Sequence, residues 1–262
     1  MKQKILSKED ILCMQYAGMQ PSQIVSLRFQ EEEYSEAFDT YIDKARDILE
    51  LQHEKGVVTF TFQEDKFPSS FKKIGADCPP MIHCLGNLSL LGPNESRIAV
   101  IGARAASPTG NRRAYTLGEK FAKEGNIIVS GLALGCDKAA HEGCLAVRGK
   151  TIAIVASGLN IVHPIENTPL QQRILECGGL ILSEQPFGVK ANPSRLVARN
   201  RLQAALSNVV ILAECPEHSG SMHTMRFARK YHKQCLAASY PHYSEMNRGN
   251  ELLLTQNLAK PV

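Results

Sequence analysis

The sequence lacks any apolar run that could cross a membrane. A spanning helix needs roughly 20 consecutive apolar residues, whereas the longest apolar stretches here, such as residues 208–213, have only the length of a strand. Residues 1–15 mix Lys2, Lys4 and Glu9 with short apolar runs, so no secretory signal peptide is expected. We therefore expect a cytoplasmic protein with no membrane partner.

The paired cysteines of a metal site are also missing. Eight cysteines are present, but no two of them form a C-x-x-C motif. Most of them lie within apolar or helical patterns, which is typical of free thiols in a reduced compartment. No zinc site is therefore predicted.

The common signatures of nucleotide enzymes are absent as well. The sequence contains no Gly-Lys-Ser or Gly-Lys-Thr of a Walker loop, and Gly102-x-Arg104 does not fit the G-x-G-x-x-G fingerprint. No metal triad or nucleophile and base pair stands out. The sequence thus predicts no catalytic residue and no cofactor.

Basic residues are concentrated in the middle of the chain. Residues 97–235 hold 18 Lys or Arg against 9 Asp or Glu, whereas residues 1–96 hold 10 against 15. An excess of this kind indicates either a surface that faces a polyanion or a solvated face with no partner. Charge alone does not distinguish DNA, RNA and nucleotides.

The hydrophobic pattern predicts two domains. Residues 1–56 form a small helical domain, with Ser7 as a helix N-cap and a longer helix over residues 34–55. Residues 57–262 then alternate short apolar runs with helical patterns, which is typical of a mainly parallel α/β sheet with helices on both faces. The candidate strands are residues 97–102, 127–130, 151–155, 180–183, 209–213 and 235–238, and the candidate helices are residues 110–123, 137–148, 168–177, 199–206 and 221–231.

The turns after these strands are candidates for a ligand site. Open parallel sheets bind ligands beyond the carboxyl ends of their strands, where helix N-termini also point. Small residues there let the backbone approach an anion and expose amide donors, although Gly and Ser also occur in turns simply because the chain must bend. The residues concerned are Gly102, Gly110, Ser130, Gly131, Leu132, Gly135, Ser219, Gly220 and Ser221.

Arginines accompany two of the turns. Arg104 and Ser107 follow the first strand, and a guanidinium beside a small-residue turn suits bidentate phosphate binding. Arg199, Asn200 and Arg201 open a later helix. They could be plain surface charge, but in a doubly wound sheet we expect both guanidinium groups to be exposed and to converge on the same sheet edge.

Asp137 and His141 lie four residues apart at a helix start and so share one face. They could form a catalytic pair. A structural role, in which they hold the preceding glycine loop, is the favoured interpretation.

Taken in order, these motifs resemble the DNA-processing protein A (DprA/Smf) family from about residue 67 to the end of the chain. The matching blocks are residues 67–91, Gly102-x-Arg104-x-x-Ser107-x-x-Gly110, Ser130-Gly131-Leu132 with Gly135, Asp137 and His141, Arg199-Asn200-Arg201, Ser219-Gly220-Ser221 and residues 249–253. The resemblance implies an extended Rossmann-like fold, binding of single-stranded DNA, a homodimer, and delivery of the DNA to the RecA recombinase in natural transformation. It assigns DNA contacts to Arg104, Ser107, Ser130, Gly131, Leu132, Arg199 and Arg201, with the remaining motif residues as loop support.

The sequence departs from the family pattern in two places. Val197-Ala198 stands where the family usually has Phe-Pro, which bears on the local loop geometry. The residues also end at Val262, so we expect no winged-helix domain of the kind that many members append.

A second interpretation is a nucleotide-binding sensor or a phosphoribohydrolase-like enzyme on a related sheet. That type carries a Pro-Gly-Gly-x-Gly-Thr loop, and residues 214–224 occupy the corresponding region here without it. A purely protein-binding module is a third interpretation, but it leaves the basic middle segment unexplained. Gel-shift assays with single-stranded and duplex oligonucleotides, beside a nucleotide hydrolysis assay, distinguish the three.

Overall fold

A nine-stranded mixed sheet organises the part of the chain that the computed structural model describes, residues 5–27 and 40–262. Its strands are β1 (Val58–Thr61), β2 (Met81–Gly86), β3 (Arg97–Ile101), β4 (Ile127–Ser130), β5 (Thr151–Ile154), β6 (Leu180–Ser183), β7 (Val209–Leu212), β8 (Gln234–Ala237) and β9 (Lys260–Pro261). They lie in the order β1-β2-β6-β5-β4-β3-β7-β8-β9. Neighbouring strands from β6 to β9 are parallel, and β2 pairs antiparallel with both β1 and β6.

Helices cover both faces of this sheet. They are α1 (Lys8–Tyr16), α2 (Pro21–Ser26), α3 (Ile42–Glu54), α4 (Ser69–Lys72), α5 (Pro108–Lys123), α6 (Cys136–Ala146), α7 (Thr168–Glu176), α8 (Pro193–Leu206), α9 (Gly220–Lys230) and α10 (Arg248–Thr255). Among the described residues, no helix combines the length and the apolar character that crossing a bilayer would require.

Alternate residues of each central strand reach two separate cores. Ala99 and Ile101 of β3 pack with residues of α8 and α9, such as Leu202 and Met225. Ile98 and its even-numbered neighbours pack instead with α5 and α6 on the opposite face. Because both faces are buried, these strands are continuous apolar runs.

The predicted fold class is confirmed. All six predicted strands form, each within one or two residues of its expected bounds. Strands β1 and β2, which pair with each other, were not among the candidate strands. Strand β9 and helix α10 were not predicted.

The N-terminal region agrees with its predicted helical character where it is described. Ser7 caps α1, because its Oγ accepts from Asp10 N at 3.0 Å while Asp10 Oδ2 accepts from Ser7 N at 2.9 Å. The helix predicted over residues 34–55 begins at Ile42, and residues 34–39 lie outside the described residues. The division of the chain into domains 1–56 and 57–262 stays a prediction.

A buried polar network ties α3 to the sheet. Gln52 Oε1 accepts from Phe187 N at 2.9 Å, so its Nε2 donates to His83 Nδ1 at 3.0 Å. His83 is fully buried, and burial lowers its pKa to about 3. The imidazole is therefore neutral in the folded protein.

Helices α5 and α6 touch backbone to backbone. A Cβ on Gly118 would stand 3.0 Å from the carbonyl carbon of Ala140, and one on Gly143 would stand 2.8 Å from that of Tyr115. Both glycines therefore allow a close approach that a larger residue would prevent. The two helices begin next to the turns that carry Arg104 and Asp137.

Candidate functional site

A cleft of about 380 Å³ lies at the carboxyl ends of β3 and β7, and we call it the carboxyl-edge cleft. Its walls come from the turn after β3, the start of α6, one side of α8 and the N-terminus of α9. The lining residues are Ile101, Gly102, Arg104, Ala133, Asp137, Pro193, Leu196, Val197, Arg199, Asn200, Gln203, Ser219, Gly220, Ser221 and Thr224. Many of the residues predicted from the sequence therefore meet in this cleft, at the edge of the sheet where the carboxyl ends of the strands lie.

The inner wall of the cleft holds two buried groups of opposite charge, Arg199 and Asp137. Arg199 is 4% exposed and donates through Nη1 to Ile154 O, while Asp137 Oδ2 accepts from Gly131 N at 3.1 Å. Burial lowers the pKa of Arg199 to about 10 and raises that of Asp137, and each charge opposes the shift of the other. Arg199 is thus charged at neutral pH.

Gly131 makes room for this pair. A Cβ at this position would press against Arg199 Nη1 and stand 2.5 Å from Asp137 Oδ2. The absence of a side chain, and not a left-handed backbone, is what the site requires here. Arg199 Nε has no hydrogen-bond partner among the described residues, so one buried donor on this wall is unsatisfied.

The expected exposure of Arg199 and Arg201 is wrong. Arg201 is 7% exposed and points away from the cleft, where it pairs with Glu184 through Nη1 at 2.8 Å and Nη2 at 2.5 Å. Its Nε also donates to Asp77 O at 2.8 Å. The two arginines are two residues apart on one helix, so they face different sides, and each finds a partner that is distant in sequence.

Arg104 behaves as predicted, since its side chain is exposed at the rim of the cleft. The turn that carries Arg104 packs on Gly135, which has φ 72°. Because Gly135 has no side chain, the carbonyl groups of Ala103 and Arg104 can approach its backbone closely. Because the guanidinium of Arg104 is exposed to solvent, an anion can reach it directly.

Ser107 lies beside the cleft and caps α5. Its Oγ accepts from Gly110 N at 3.0 Å and donates to Glu214 Oε1 at 2.8 Å, while its N donates to Glu214 Oε2 at 2.7 Å. Gly110 is needed here because a Cβ would collide with the Glu214 carboxylate. These residues orient α5 and do not line the cleft.

The N-terminus of α9 opens into the cleft. Ser219 caps the helix, Ser221 Oγ donates to Gly102 O at 2.7 Å, and Asn200 Nδ2 donates to Gly220 O at 3.1 Å. Gly220 is exposed, and nothing lies within 4 Å of where its Cβ would be. Ser221 N and Met222 N already donate to Ser219, so it is the exposed backbone at Gly220 that offers the open space suited to an anion at a helix N-terminus.

The remaining predicted residues are buried supports. Ser130 Oγ donates to Val100 O at 2.7 Å, and Leu132, with φ 58°, accepts at its carbonyl from Asn167 Nδ2 at 2.8 Å. His141 Nδ1 lies 2.7 Å from Thr151 Oγ1, whose hydroxyl donates to Ile128 O, so the imidazole donates from Nδ1. Burial lowers the pKa of His141 to about 3.

Several lining residues were missed by sequence reasoning. Leu196 and Gln203 lie on α8 at helical spacing from Arg199, and Thr224 lies one turn into α9. Apolar and amide side chains carry no charge signal. Their spacing from Arg199 along α8 is the clue that could have found them.

Comparison with known proteins places the chain. The family described as DNA recombination-mediator protein A matches residues 58–262. Protein Smf of Synechocystis sp. is 32% identical over 223 residues, which cover 80% of this chain and 55% of that protein. DNA processing protein DprA of Streptococcus pneumoniae is 37% identical over 166 residues, which cover 63% of this chain and 57% of that protein.

Two solved structures are similar over most of the chain. The X-ray structure of DNA processing protein A from Streptococcus pneumoniae has a TM-score of 0.77 and 29% identity, covering 98% of this chain and 90% of the other. The structure of DNA processing protein A from Helicobacter pylori, which concerns its single-stranded DNA binding mode, has a TM-score of 0.70 and 34% identity, covering 78% and 90%.

The chain spans between 55% and 57% of the length of the first curated relatives that it matches. The family match, in contrast, covers the whole sheet from β1 to β9. The chain therefore belongs to the DNA recombination-mediator protein A family, the DprA/Smf family that its sequence motifs resemble.

Proposed function

We propose that the carboxyl-edge cleft binds the phosphate backbone of single-stranded DNA. The observation that carries the proposal is the presence of two arginines in one cleft: Arg104 is exposed at the rim, and Arg199 is buried in the wall with an unsatisfied Nε. A buried donor without an acceptor costs free energy that a phosphate oxygen would recover. Membership of a family with a structure concerned with single-stranded DNA binding supports the choice of ligand.

The proposed contacts are fewer than the sequence indicated. Arg104 supplies the charge, the backbone amide of Gly220 at the α9 N-terminus supplies a neutral donor, and Arg199 acts from the inner wall. Arg201 is left out because its donors are engaged with Glu184 and main-chain carbonyls. Ser130 and Leu132 are left out because both are fully buried.

Binding of this kind has little sequence preference, because donors that meet phosphates do not read base edges. The affinity for single strands should exceed that for duplex and should fall as salt rises. We also propose that the protein is not an enzyme, works in the cytoplasm as a homodimer, and hands its DNA to the RecA recombinase. Sedimentation of the pure protein, and the assembly of RecA on single strands with and without it, test the last two points.

The DNA proposal is tested by Arg104→Ala, with Arg173→Ala as the matched control. Both side chains are exposed, but Arg173 lies on α7 and does not line the cleft. Loss of one or two charge-assisted bonds should weaken binding at least about tenfold. Fluorescence anisotropy with a labelled oligothymidylate measures the affinity, and thermal melting should show both variants folded like the parent.

If Arg104→Ala binds as tightly as Arg173→Ala, the proposed site is misplaced. Affinity that does not change with salt, or that is equal for duplex and single strands, would count against a phosphate cleft. Multiple turnover of a nucleotide by the pure protein would instead favour the enzyme interpretation.

A further inference from the structure

A second cleft of about 520 Å³ opens at the opposite edge of the sheet, at the amino ends of β3, β7 and β8. We call it the amino-edge cleft. The four-residue rise from Arg97 to Ile101 along β3 separates it from the carboxyl-edge cleft by roughly 13 Å of sheet. None of the residues that line one cleft lines the other.

Arg97 forms a buried wall of the amino-edge cleft. It is 6% exposed, its Nε donates to Leu90 O at 2.8 Å, and its Nη2 donates to Gly92 O. No carboxylate within the described ranges lies at ion-pair distance from it. Carbonyl groups satisfy its hydrogen bonds but provide no negative charge in contact with it, and a buried charge without an ion-pair partner is costly.

Two lysines face the same space. Lys233 is half-buried and donates from Nζ to Ala205 O at 2.9 Å. Lys73 is exposed, and its side chain makes no hydrogen bond or ion pair to any residue that the structure describes. Burial, and then the charges of Lys73 and Arg97, lower the pKa of Lys233. Lys233 thus lies close enough to Lys73 and to Arg97 to be affected by both charges.

The counter-charge for these cations is small. Glu95 is the single carboxylate among the residues that line the cleft, and it is exposed. Lys230, the fourth cation of the lining, already pairs with Asp77 at 2.5 Å. Lys73, Arg97 and Lys233 therefore form a site with an excess of positive charge that a multivalent anion would neutralise.

The shape of the cleft indicates more than a simple ion. Its volume falls in the range of about 300 to 1,000 Å³ that is typical of small-molecule sites. The ring of Tyr231 lines it, held by a hydrogen bond from its hydroxyl to Asp77 Oδ2 at 2.6 Å and by stacking on Phe227 with 6.0 Å between centroids. A fixed aromatic ring beside three cations suits a flat base attached to a phosphate.

We propose that the amino-edge cleft is a second binding site, which takes the phosphate of a nucleotide unit. The nucleotide is either free or part of a further stretch of single-stranded DNA, since both present the same phosphate. The site does not depend on the DNA proposal for the carboxyl-edge cleft, because the two share no residue.

The test compares Lys73→Gln/Lys233→Gln with Lys44→Gln/Lys55→Gln, which removes the same charge from α3 and from the residue that follows it. Isothermal titration calorimetry with dATP and with pyrophosphate measures binding to the parent and to both variants. The first variant should bind at least about tenfold more weakly, as expected for the loss of charge-assisted bonds, and the control should match the parent. Because Lys233 supports the backbone at Ala205, the single variant Lys73→Gln provides the same comparison with no bond lost in the protein.

Oligothymidylates distinguish the two sources of the phosphate. If the site takes free nucleotides, both double variants bind DNA equally. If it takes a second stretch of DNA, Lys73→Gln/Lys233→Gln weakens binding of an oligomer long enough to reach both clefts and leaves a short one unaffected.

The proposal is overturned if dATP, pyrophosphate and the long oligomer each bind alike to both double variants. It is also overturned if dATP binding is lost in Arg104→Ala and kept in Lys73→Gln, because the nucleotide would then occupy the carboxyl-edge cleft. Failure of Arg104→Ala to weaken DNA binding concerns only the other cleft.

Discussion

Replacing Arg201 with Met should destabilise the protein strongly and leave the DNA affinity of the folded molecules unchanged. The substitution removes both bonds to Glu184 and leaves that carboxylate buried without a partner. Breaking a buried pair in this way typically costs about 3 to 5 kcal/mol. Domains are stable by only about 5 to 15 kcal/mol, so the loss is a large fraction of the total.

Urea unfolding followed by far-ultraviolet circular dichroism measures this loss, since the chain contains no tryptophan to report on it. The exposed control Arg173→Met should stay within about 0.5 kcal/mol of the parent. Replacing both partners, in Arg201→Met/Glu184→Leu, should recover much of the stability because no unpaired charge remains buried.

The reasoning fails if Arg201→Met unfolds at the same urea concentration as Arg173→Met while binding single-stranded DNA more weakly. That result would return Arg201 to the DNA contacts that the sequence assigned to it. A double variant no more stable than Arg201→Met would show that the packing of Arg201, and not its charge pair, stabilises the fold.

Two further predictions concern buried groups. Burial lowers the folded-state pKa of His83 and His141 to about 3, below the unfolded value of about 6.5, so stability present above that value is lost as the pH falls. Between pH 7 and pH 5 each histidine should lower the free energy of unfolding, measured in urea, by about 2 kcal/mol. His83→Gln should therefore show about half of the pH dependence of the parent, and an unchanged dependence would contradict the assignment. Gly131→Ala should cost about 1 to 3 kcal/mol through its clash with Arg199, whereas Gly220→Ala, with open space around it, should be nearly neutral; equal melting temperatures would show that the wall relaxes freely.

The sheet could be predicted from the sequence because strands buried on both faces are continuous apolar runs. Strand β9 could not, since Lys260–Pro261 is short, exposed and without apolar character, and it pairs only through its position beside β8. Helix α10 was not predicted either, because residues 249–253 were interpreted only as a family motif.

The position of the candidate site followed from the rule for carboxyl edges, but the environment of its arginines did not. The sequence placed Arg199 and Arg201 at the start of a helix, where charged residues usually meet solvent, but α8 begins at Pro193 and holds both in its middle. The opposite charges near them, Asp137 and Glu184, lie on other elements, and only the folded chain brings them together. The exposure of Arg104 could be predicted correctly, because it lies in a turn at the surface where no other element that the structure describes packs over its side chain.

The backbone contact between α5 and α6 sets the frame of the carboxyl-edge cleft. Helices that touch through Gly118 and Gly143 cannot slide without collision, so the backbone at Arg104 and at Asp137, next to their N-termini, keeps a fixed separation. A ligand of the proposed site would therefore meet a backbone already in place, and little backbone entropy would be lost on binding. Association should accordingly be a single step whose rate follows diffusion and salt, with slow amide exchange in both helices alike before and after DNA is added.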